Sequence, residues 1–516
     1  MHRYLLFACV LALSACSRAP MVEAGGETLQ GKYVEDGKVA AFLGVPFAEP
    51  PVGELRWRAP QPLINKAARR EVTEFAPACM QSMRILDWYR WLAEKAGGSA
   101  DYYDDLEVSE DCLYLNVWTP TLVSDAQLPV MVWVHGGSNK SGWSYEPNYH
   151  GHALAQQDVV VVSVAYRHGV FGFLSHPELP RDEPVANFGY WDLLASLQWI
   201  QDNIEQFGGD PDRVTMFGES SGAQNILGLL ATDLSKGLLH RGATQSTAGL
   251  GPTRMSLLVE EEARALGMAD ALGLPLENNL AALRAVPAEQ LFAVYDETYA
   301  DYYHSPAIDG QLFAESMRSL IEQHTLHGRE LIIGSNDHEW YDSTPEDTTW
   351  EDVAEQAAEM FEGADQDEIL APVRNEKDPR RALDRLRTAS AMLCGSQHVA
   401  ATVNAAGGNA WVYHFTRAPG GINGVSLGAY HGAEYPYVFA TRDPYFARSD
   451  ADEALQRAMQ SYWVSFATTG DPNGGDDDIP AWPRFAAPEF PVQELGEEIL
   501  TKPAPEPELC ALLSAN

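Results

Sequence analysis

The sequence is poor in basic residues. Its 516 residues contain 35 Lys and Arg against 73 Asp and Glu, which gives a formal net charge of −38. Binding to nucleic acid requires clustered Lys and Arg that neutralise phosphates, so this imbalance argues strongly against a nucleic-acid-binding protein. The charge favours solubility and the approach of cationic or neutral ligands, although arginines at one site can override the overall sign.

The interior also lacks a linker rich in Pro, Ser or Gly, a break in composition and an internal repeat. Length alone suggests about three domains of roughly 150 residues each. The content of 45% hydrophobic and 21% charged residues is that of a globular protein. We therefore expect a single large α/β domain over residues 28–516, with long insertions.

The apolar run at the N terminus is too short for a membrane span. It extends from Tyr4 to Leu13, whereas a bilayer requires ~20 residues, and its length suits the core of a signal peptide. Leu13-Ser14-Ala15-Cys16 matches a bacterial lipobox, in which Cys16 is lipidated and becomes the first residue of the mature protein. A plain secretory signal is the alternative. Ser17 after the cysteine is typical of lipoproteins sorted to an outer membrane.

The lipobox divides the N-terminal region into two parts. Residues 1–15 are expected to be the signal peptide and residues 16–27 a tether. The protein is then exported to the bacterial cell envelope. We expect an outer-membrane lipoprotein that faces the periplasm or the exterior and contacts the membrane only through the lipid on Cys16.

The cysteines have no metal-binding spacing. No C-x-x-C or Cys/His pattern is present, so the sequence does not predict a metal site. Once Cys9 leaves with the signal peptide and Cys16 carries lipid, four cysteines remain: Cys79, Cys112, Cys394 and Cys510. An even number in an oxidising compartment predicts two disulfides with three possible pairings. Proximity in sequence favours Cys79–Cys112, which leaves Cys394–Cys510.

Apolar runs predict a parallel sheet. Four of them have the length and composition of buried strands: Val130–Val134, Val159–Ala165, Val214–Phe217 and Leu331–Ile333. The segment Trp191–Glu205, between the second and third runs, has apolar residues at helical spacing. Strands that alternate with helices indicate β-α-β units and therefore parallel pairing.

The segment GESSG lies where the third of these strands ends and an apolar helix begins. In this context G-x-S-x-G predicts a nucleophile elbow, a strained turn that exposes the central serine above the sheet. The central residue is Ser220, so we expect Ser220 to be the nucleophile. Ser221 follows it, and its backbone N–H can point into an oxyanion hole. Gly218 and Gly222 allow close approach of the backbones.

A second set of oxyanion donors is expected after an earlier strand. Val130–Val134 runs directly into His135-Gly136-Gly137-Ser138. Paired glycines at such a junction let amide N–H groups face a developing oxyanion. The alternative is a tight turn with no electrostatic role.

Several sequence blocks resemble the type-B carboxylesterases, the cholinesterase-like group of α/β-hydrolases. They include GVPFAEPPVGELRWRAP, SEDCLYLNVWTP, VAYRHGVFGF and YHGAEYPYVF, and they occur in the family's order from about Leu29 to Cys510. The resemblance implies an α/β-hydrolase fold: a large, mostly parallel central sheet flanked by helices, with long insertions that form a gorge over the active site. It also implies the pairings Cys79–Cys112 and Cys394–Cys510.

The same resemblance assigns further roles. It implies that the oxyanion donors are Gly137, Ser138 and Ser221, although many members have a third glycine where this sequence has Ser138. Glu219 and Ser246 match positions of a buried polar network behind the nucleophile in relatives. Ordinary buried hydrogen bonding is the alternative for both.

The catalytic base and acid follow the nucleophile along the chain in hydrolases of this fold. If the acid lies near Leu331–Ile333, three histidines follow it: His398, His414 and His431. The first two lie on a predicted helix and in a predicted strand, where structural roles are usual. His431 lies between Gly428 and Gly432 in a loop that leaves its ring free of packing. We therefore expect His431 to be the base, and the HG-x-E block of the family falls on the same residue.

Three acidic residues lie just past the strand Leu331–Ile333: Asp337, Glu339 and Asp342. The resemblance aligns Glu339 with the family's acid, and Asp342 is the alternative. The family usually has glycine at the next position, where this sequence has Trp340. The acid is expected to orient His431 and to stabilise its imidazolium.

These residues predict a serine esterase that acts through an acyl-enzyme, with no metal ion or organic cofactor. The aromatic residues between Cys79 and Cys112 either grip an apolar or cationic group or pack the loop onto the body; they are Trp88, Tyr89, Trp91, Tyr102 and Tyr103. Tyr102 falls where a choline-binding tryptophan would lie, and Thr253 falls near a bulky acyl-pocket position. Both departures favour a broad or specialised bacterial ester hydrolase over a cholinesterase.

The overall charge slightly disfavours anionic polyesters as substrates. Two other functions remain open. One is a non-catalytic, cholinesterase-like binding protein, which the presence of Ser220, Glu339 and His431 disfavours. The other is an acyltransferase or amidase that uses the same three residues, and sequence cannot distinguish it from an esterase.

Overall fold

The computed structural model describes residues 19–247, 255–275, 277–299, 303–323, 325–441, 443–476 and 478–514. The predicted signal peptide, the lipobox with Cys16 and the predicted acyl-pocket residue Thr253 lie outside these residues. No helix within these ranges is long and apolar enough to cross a membrane.

The central element is an eleven-stranded sheet. Its strands are labelled in chain order: β1 Lys32–Val34, β2 Val39–Pro46, β3 Tyr114–Thr119, β4 Leu128–Val134, β5 Val160–Val164, β6 Gly209–Glu219, β7 Arg241–Gln245, β8 Glu330–Asn336, β9 Asn409–Phe415, β10 Pro491–Leu495 and β11 Ile499–Pro503. Their order across the sheet is β11-β10-β9-β8-β7-β6-β4-β5-β3-β2-β1.

The seven strands from β10 to β5 in this order run parallel to one another, and the outer strands pair antiparallel. The predicted mostly parallel sheet is therefore confirmed. All four strands expected from apolar runs are present, as β4, β5, β6 and β8. These four strands are buried on both faces of the sheet. Their sequences are therefore continuous apolar runs and do not alternate between apolar and polar residues.

Helices cover both faces of the sheet. The α-helices are α1 Arg84–Lys95, α2 His152–Ala155, α3 Gly169–Phe173, α4 Phe188–Asn203, α5 Ser221–Leu230, α6 Leu258–Ala271, α7 Asn279–Ala285, α8 Ala288–Tyr299, α9 Met317–Glu322, α10 Trp350–Met360, α11 Gln366–Leu370, α12 Pro379–Thr388, α13 Cys394–Ala405, α14 Ile422–Val425, α15 Tyr435–Phe439, α16 Asp450–Thr469 and α17 Pro507–Ser514. The predicted helix over 191–205 corresponds to α4, which begins three residues earlier and continues into a 3₁₀ turn at Ile204–Phe207.

Strand β4 shows how one strand supplies two cores. Val130, Val132 and Val134 belong to the hydrophobic cluster on one face of the sheet. Met131 and Trp133 belong to the cluster on the other face. Successive side chains of a strand point to opposite faces, so this single apolar run anchors helices on both sides.

Short strands lie outside the large sheet. A three-stranded sheet combines Met21–Ala24, Glu27–Gln30 and Arg69–Glu71. Two small parallel pairs join Ala78–Cys79 with Val108–Ser109, and Ser256–Leu257 with Ala307–Ile308. The sequence placed residues 16–27 in a tether, whereas the structure places Met21–Ala24 in a strand whose side chains Val22 and Ala24 are buried in the core. The alternating pattern of this short segment, with only two apolar anchors, gave too weak a signal.

Two disulfides join distant parts of the chain. They link Cys79 to Cys112 and Cys394 to Cys510, as the sequence predicted. The first closes the segment that carries α1. The second ties the start of α13 to the C-terminal helix α17.

Candidate active site

Ser220 lies in a sharp turn between β6 and α5. Its backbone has φ 56° and ψ −127°, a conformation that a residue with a side chain adopts only at a cost. The N–H of Ser220 donates to the carbonyl of Gln245 at the end of β7, at 2.9 Å. Such strain held by surrounding structure is typical of functional sites, and it gives Ser220 the conformation of a nucleophile elbow.

The flanking glycines allow β4 to approach the turn. A Cβ atom on Gly222 would lie 2.2 Å from the carbonyl oxygen of Val134, and one on Gly218 would lie 2.4 Å from the same atom. Both distances are far below van der Waals contact. Glycine is therefore required at both positions of G-x-S-x-G because the end of β4 passes directly against the elbow.

The loop after β4 turns back over Ser220. Gly137 has φ 105°, and Ser138 has φ 61° in the left-handed region. That conformation favours glycine, and Ser138 adopts it while carrying a side chain. The hydroxyl of Ser221 accepts a hydrogen bond from the N–H of Asn139 at 3.1 Å. Ser221 thus fastens this loop to the first turn of α5.

His431 and Glu339 lie in direct contact. Nδ1 of His431 is 2.6 Å from Oε2 of Glu339, and the side chain of Glu339 is fully buried. Oε1 of the same carboxylate accepts the N–H of Asn336 at 2.7 Å, which fixes the glutamate at the end of β8. Among the three acidic candidates, the structure brings Glu339 to the histidine.

The other two acidic candidates have different partners. Asp337 binds Arg381 at 2.6 Å and lies 3.1 Å from Nδ1 of His338 and 3.4 Å from Nε2 of His414. Burial alone would raise the pKa of Asp337, but the hydrogen bond with His414 and the charge of Arg381 hold it well below its usual range. Asp342 accepts a hydrogen bond from Nε1 of Trp88 at 3.2 Å.

Two of the candidate histidines are placed away from the elbow. His414 lies on β9 and contacts Asp337. His398 lies on α13 with its Nε2 atom 3.7 Å from Glu322. The helix and strand positions that the sequence suggested for them are confirmed.

The second ring nitrogen of His431 faces Glu219. Nε2 lies 3.0 Å from Oε1 of this glutamate, the residue that immediately precedes Ser220. Burial by itself lowers the pKa of His431, but Glu219 and then Glu339 outweigh it, so the pKa lies well above its ordinary value. The imidazole therefore has a carboxylate at each nitrogen, which favours its protonated form.

A further glutamate lies behind these residues. Glu434 accepts hydrogen bonds from Nδ2 of Asn336 at 2.6 Å and from Nε2 of Gln245 at 3.2 Å. Burial and the nearby charges of Glu219 and Glu339 raise the pKa of Glu434 to about 8, so it is largely protonated at neutral pH. Glu434 is the last residue of the HG-x-E block, a pattern that pointed only to His431.

Ser246, the second predicted member of the buried network, is fully buried just beyond β7. Its N–H donates to the carbonyl of Gly334 at 2.8 Å, and its φ of 49° bends the chain away from the sheet. Ser246 therefore shapes the backbone beside the elbow. Glu219, predicted to lie in the same network, instead contacts His431 directly.

Trp340 stacks on His431. The two ring centroids are 5.7 Å apart and the planes are inclined by 14°. The backbone N–H of Trp340 donates to Oδ1 of Asp384 on α12 at 2.9 Å, which fixes the loop that also carries Glu339. An indole face attracts a cation, so this stacking adds to the stabilisation of a charged imidazole. From the sequence, Trp340 was notable only because the family usually has glycine at this position.

These residues surround one cavity of about 410 Å³. Its walls include the start of α1, the loop after β4, the loop that carries Glu339 and the loop that carries His431. A π-helical turn at Ala389–Leu393 contributes Ala391 and Met392. π-helical turns are frequent at functional sites because the extra residue re-aims the neighbouring side chains.

The aromatic residues of the Cys79–Cys112 segment divide between the two predicted roles. Trp88 and Tyr89 line the cavity, and the hydroxyl of Tyr89 donates to Glu146 at 2.6 Å. Burial raises the pKa of Glu146 to about 7. Tyr103 packs inward with its hydroxyl 2.9 Å from Asp443. Tyr102 is 51% exposed and Trp91 lies under Lys95; neither belongs to the cavity lining.

The fold and the site together define an α/β-hydrolase. The sheet has eleven strands with parallel central strands, a serine lies in a strand-to-helix elbow, and an acid and a histidine lie on later loops. The chain belongs to the carboxylesterase family, whose model matches residues 18–508. This confirms the resemblance to type-B carboxylesterases, and the protein is a carboxylic ester hydrolase.

Individual relatives agree with this assignment. A fumonisin B1 esterase of Sphingopyxis macrogoltabida is 35% identical over 472 residues, which cover 87% of this chain and 82% of that protein. A medium-chain fatty acyl-CoA hydrolase precursor of Anas platyrhynchos is 33% identical over 482 residues, which cover 87% and 83%. Among solved structures, a thermophilic PNB esterase matches with a TM-score of 0.81 at 28% identity, covering 96% of this chain and 100% of that chain.

Proposed function

We propose that the protein is a serine carboxylesterase in which Ser220 is the nucleophile, His431 the general base and Glu339 the acid that orients the histidine. The observation that carries this proposal is the 2.6 Å contact between His431 and Glu339 in the same cavity as the strained elbow serine. A nucleophile, a base and an orienting carboxylate around one cavity are the arrangement that acyl transfer requires.

The reaction follows from these positions. The Ser220 hydroxyl oxygen attacks the ester carbonyl carbon while its proton passes to Nε2 of His431. The tetrahedral intermediate collapses, the alcohol leaves with that proton, and the acyl group stays on Ser220. His431 then takes a proton from a water molecule as that water attacks the acyl-enzyme. The imidazolium returns this proton to the Ser220 oxygen as the carboxylic acid leaves, which restores the free enzyme.

The oxyanion of each tetrahedral intermediate is expected to bind backbone amides of Gly137, Ser138 and Ser221. The N–H of Ser221 belongs to the first turn of α5, where amides have no partner within the helix. The amide of Asn139, the next along the loop, is already bound to the Ser221 hydroxyl. That contact holds the loop against α5, and the amides of Gly137 and Ser138 are left to bind the substrate.

Glu219 gives His431 a second partner during the reaction. With Nε2 held 3.0 Å from Glu219, the ring must release this contact to accept the Ser220 proton. Once the imidazolium has formed, the same carboxylate stabilises it. We therefore assign Glu219 an electrostatic role at the base, in addition to the orienting role of Glu339.

The substrate is proposed to be a carboxylic ester handled by a broad or specialised bacterial hydrolase. By their names, the relatives act on fumonisin B1 and on fatty acyl-CoA, so fumonisin B1 belongs among the substrates to test. Acyl transfer to other acceptors and amide hydrolysis use the same three residues. Product analysis with added alcohols and with anilide substrates separates them from hydrolysis of esters.

Replacing the nucleophile is the direct test. Ser220→Ala is expected to lower kcat/KM on 4-nitrophenyl esters by at least about a thousandfold, because no other group can form the acyl-enzyme. The measurement uses acyl chains of increasing length, together with fumonisin B1. An exposed serine outside the cavity, Ser426, supplies the matched control Ser426→Ala, which is expected to keep full activity.

Covalent labelling gives an independent answer. A fluorophosphonate is expected to modify Ser220 in the wild type and to leave the Ser220→Ala protein unmodified. Persistent hydrolysis by a folded Ser220→Ala variant, or labelling at another serine, contradicts the proposal.

A further inference from the structure

Arg84 is the one Lys or Arg among the described residues that line the reaction cavity. It is the first residue of α1, inside the Cys79–Cys112 segment. Its Nη2 atom donates to the carbonyl of Gly137 at 3.2 Å and to the hydroxyl of Ser141 at 3.2 Å. Arg84 is thus held beside the loop that is proposed to bind the oxyanion.

Arg84 lacks an acidic partner within the described part of the chain. Both of its acceptors are neutral, and its Nε and Nη1 atoms have no hydrogen-bond partner there. Arg90, on the same helix, binds Asp105 at 2.8 Å and lies 3.9 Å from Asp87. The guanidinium therefore has free donors at the reaction cavity, which offer a binding position for an anion.

The local electrostatics favour such an anion. Arg84 lies at the N-terminal end of a twelve-residue helix, where the backbone carries partial positive charge that an arginine does not offset. Arg84 is an exposed residue at the cavity, so its free donors are accessible to a ligand.

The acidic groups of the cavity do not occupy this position. Glu339 and Glu219 face the two nitrogens of His431. Glu146 accepts the hydroxyl of Tyr89, and Asp342 accepts Nε1 of Trp88. Each carboxylate already has a partner other than Arg84, so the guanidinium remains open to a ligand.

We propose that the natural ester carries a free carboxylate close to the reacting carbonyl and that Arg84 binds this carboxylate. The inference rests on the proposed esterase function and names its substrate class. A guanidinium binds a carboxylate through charge-assisted hydrogen bonds, and the free Nε and Nη1 donors of Arg84 can each donate one. The overall negative charge of the protein favours neutral and cationic substrates, and Arg84 reverses this preference at one position of the cavity.

The test compares two esters that differ only in charge. Mono-4-nitrophenyl glutarate and 4-nitrophenyl pentanoate share the leaving group and the length of the acyl chain, but only the glutarate has a free carboxylate. The quantity measured is the ratio of their kcat/KM values. A second pair, 4-(pentanoyloxy)benzoate and its methyl ester, places the charge on the alcohol side.

Arg84→Gln is expected to lower the charged-to-neutral ratio by about tenfold to a hundredfold for at least one pair, mainly through KM of the charged ester. Arg84→Lys is expected to retain part of the ratio, because it keeps the charge but loses the separate donors of the planar guanidinium. Arg90→Gln changes the net charge by the same amount outside the cavity and is expected to leave both ratios unchanged. Thermal unfolding of each variant confirms that it is folded.

The pair that responds identifies the side of the ester that carries the carboxylate. The inference is overturned if Arg84→Gln leaves both ratios within about twofold of the wild type, or if Arg90→Gln lowers them equally. Its failure is distinguishable from failure of the esterase proposal. Hydrolysis of the neutral pentanoate that depends on Ser220 keeps the esterase proposal even when the ratios do not respond to Arg84.

Discussion

At the scale of single residues, two glutamates near His431 have different surroundings and different roles. Glu219 lies 3.0 Å from Nε2 of the histidine and raises its pKa. Glu434 lies deeper, and burial raises its own pKa to about 8. Glu219 therefore acts electrostatically on the histidine, whereas Glu434 is a hydrogen-bonding group for Asn336 and Gln245.

This difference predicts the pH dependence of activity. The base must be neutral to accept the Ser220 proton, so kcat/KM falls as pH drops through the pKa of His431. Glu219→Gln removes a charge that raises this pKa, and the acidic limb of the profile is therefore expected to move to lower pH. The measurement is kcat/KM for a neutral ester across the pH range.

Glu434→Gln is the matched control for that shift. A largely protonated glutamate resembles glutamine in charge, so this variant is expected to move the acidic limb much less. Equal shifts in the two variants, or a shift of the Glu219→Gln profile to higher pH, would show that charge at Glu219 does not set the pKa of the base.

At the scale of secondary-structure elements, helix α12 holds the loop that carries Glu339. Arg381 on this helix donates through Nη1 to the carbonyl of Asp337 at 2.7 Å and through Nη2 to its carboxylate at 2.6 Å. Asp384, one turn later, accepts the N–H of Trp340. The residues on either side of Glu339 are thus both fixed by α12.

Arg381→Met is expected to lower kcat on a neutral ester by about tenfold, because misplacement of a catalytic group by a fraction of an ångström is costly. Arg385, on the same helix, binds Glu376 and Glu506 instead. Arg385→Met is therefore the matched control. Arg381→Met and Arg385→Met each remove ion pairs of similar exposure, and each is expected to lower the free energy of unfolding by about 1–3 kcal/mol.

Only Arg381→Met is expected to affect kcat, which separates positioning of Glu339 from general stability. Chemical denaturation and steady-state kinetics of both variants measure the two effects. Similar losses of kcat in the two variants would mean that α12 acts only through stability.

At the scale of elements, the sequence predicts what one continuous segment forms, but not the contacts between distant loops. Residues 214–222 combine a strand, a turn motif and a helix in one continuous segment, so Ser220 could be identified locally. The glycines around His431 were also a local signal. The placement of Trp340 over His431 and of Arg84 beside Gly137 depends on loops that meet only in the folded chain. No spacing in the sequence encodes those contacts, which is why they were not predicted.

At the scale of the whole molecule, the lipobox remains a prediction about the N-terminal residues. We propose that Cys16 is lipidated and anchors the catalytic domain to an outer membrane. Cys16→Ser is expected to abolish incorporation of radiolabelled palmitate when the full chain is produced in a bacterial host with an outer membrane. Palmitate incorporation that persists in this variant, or is absent from the wild type, contradicts the proposal.

The two disulfides have a consequence for how the enzyme responds to redox potential. Cys79–Cys112 closes the segment that presents Arg84 and Trp88 to the cavity, and Cys394 directly follows the π-helical turn that presents Met392. The elbow and the acid, by contrast, are held by strands and their hydrogen bonds. Substrate choice is therefore tied to covalent bonds that thiols can break, whereas the ability to cleave an ester is not. In a reducing compartment the enzyme would lose substrate selectivity before it lost turnover. The thiol–disulfide state of the surroundings is therefore a determinant of substrate specificity.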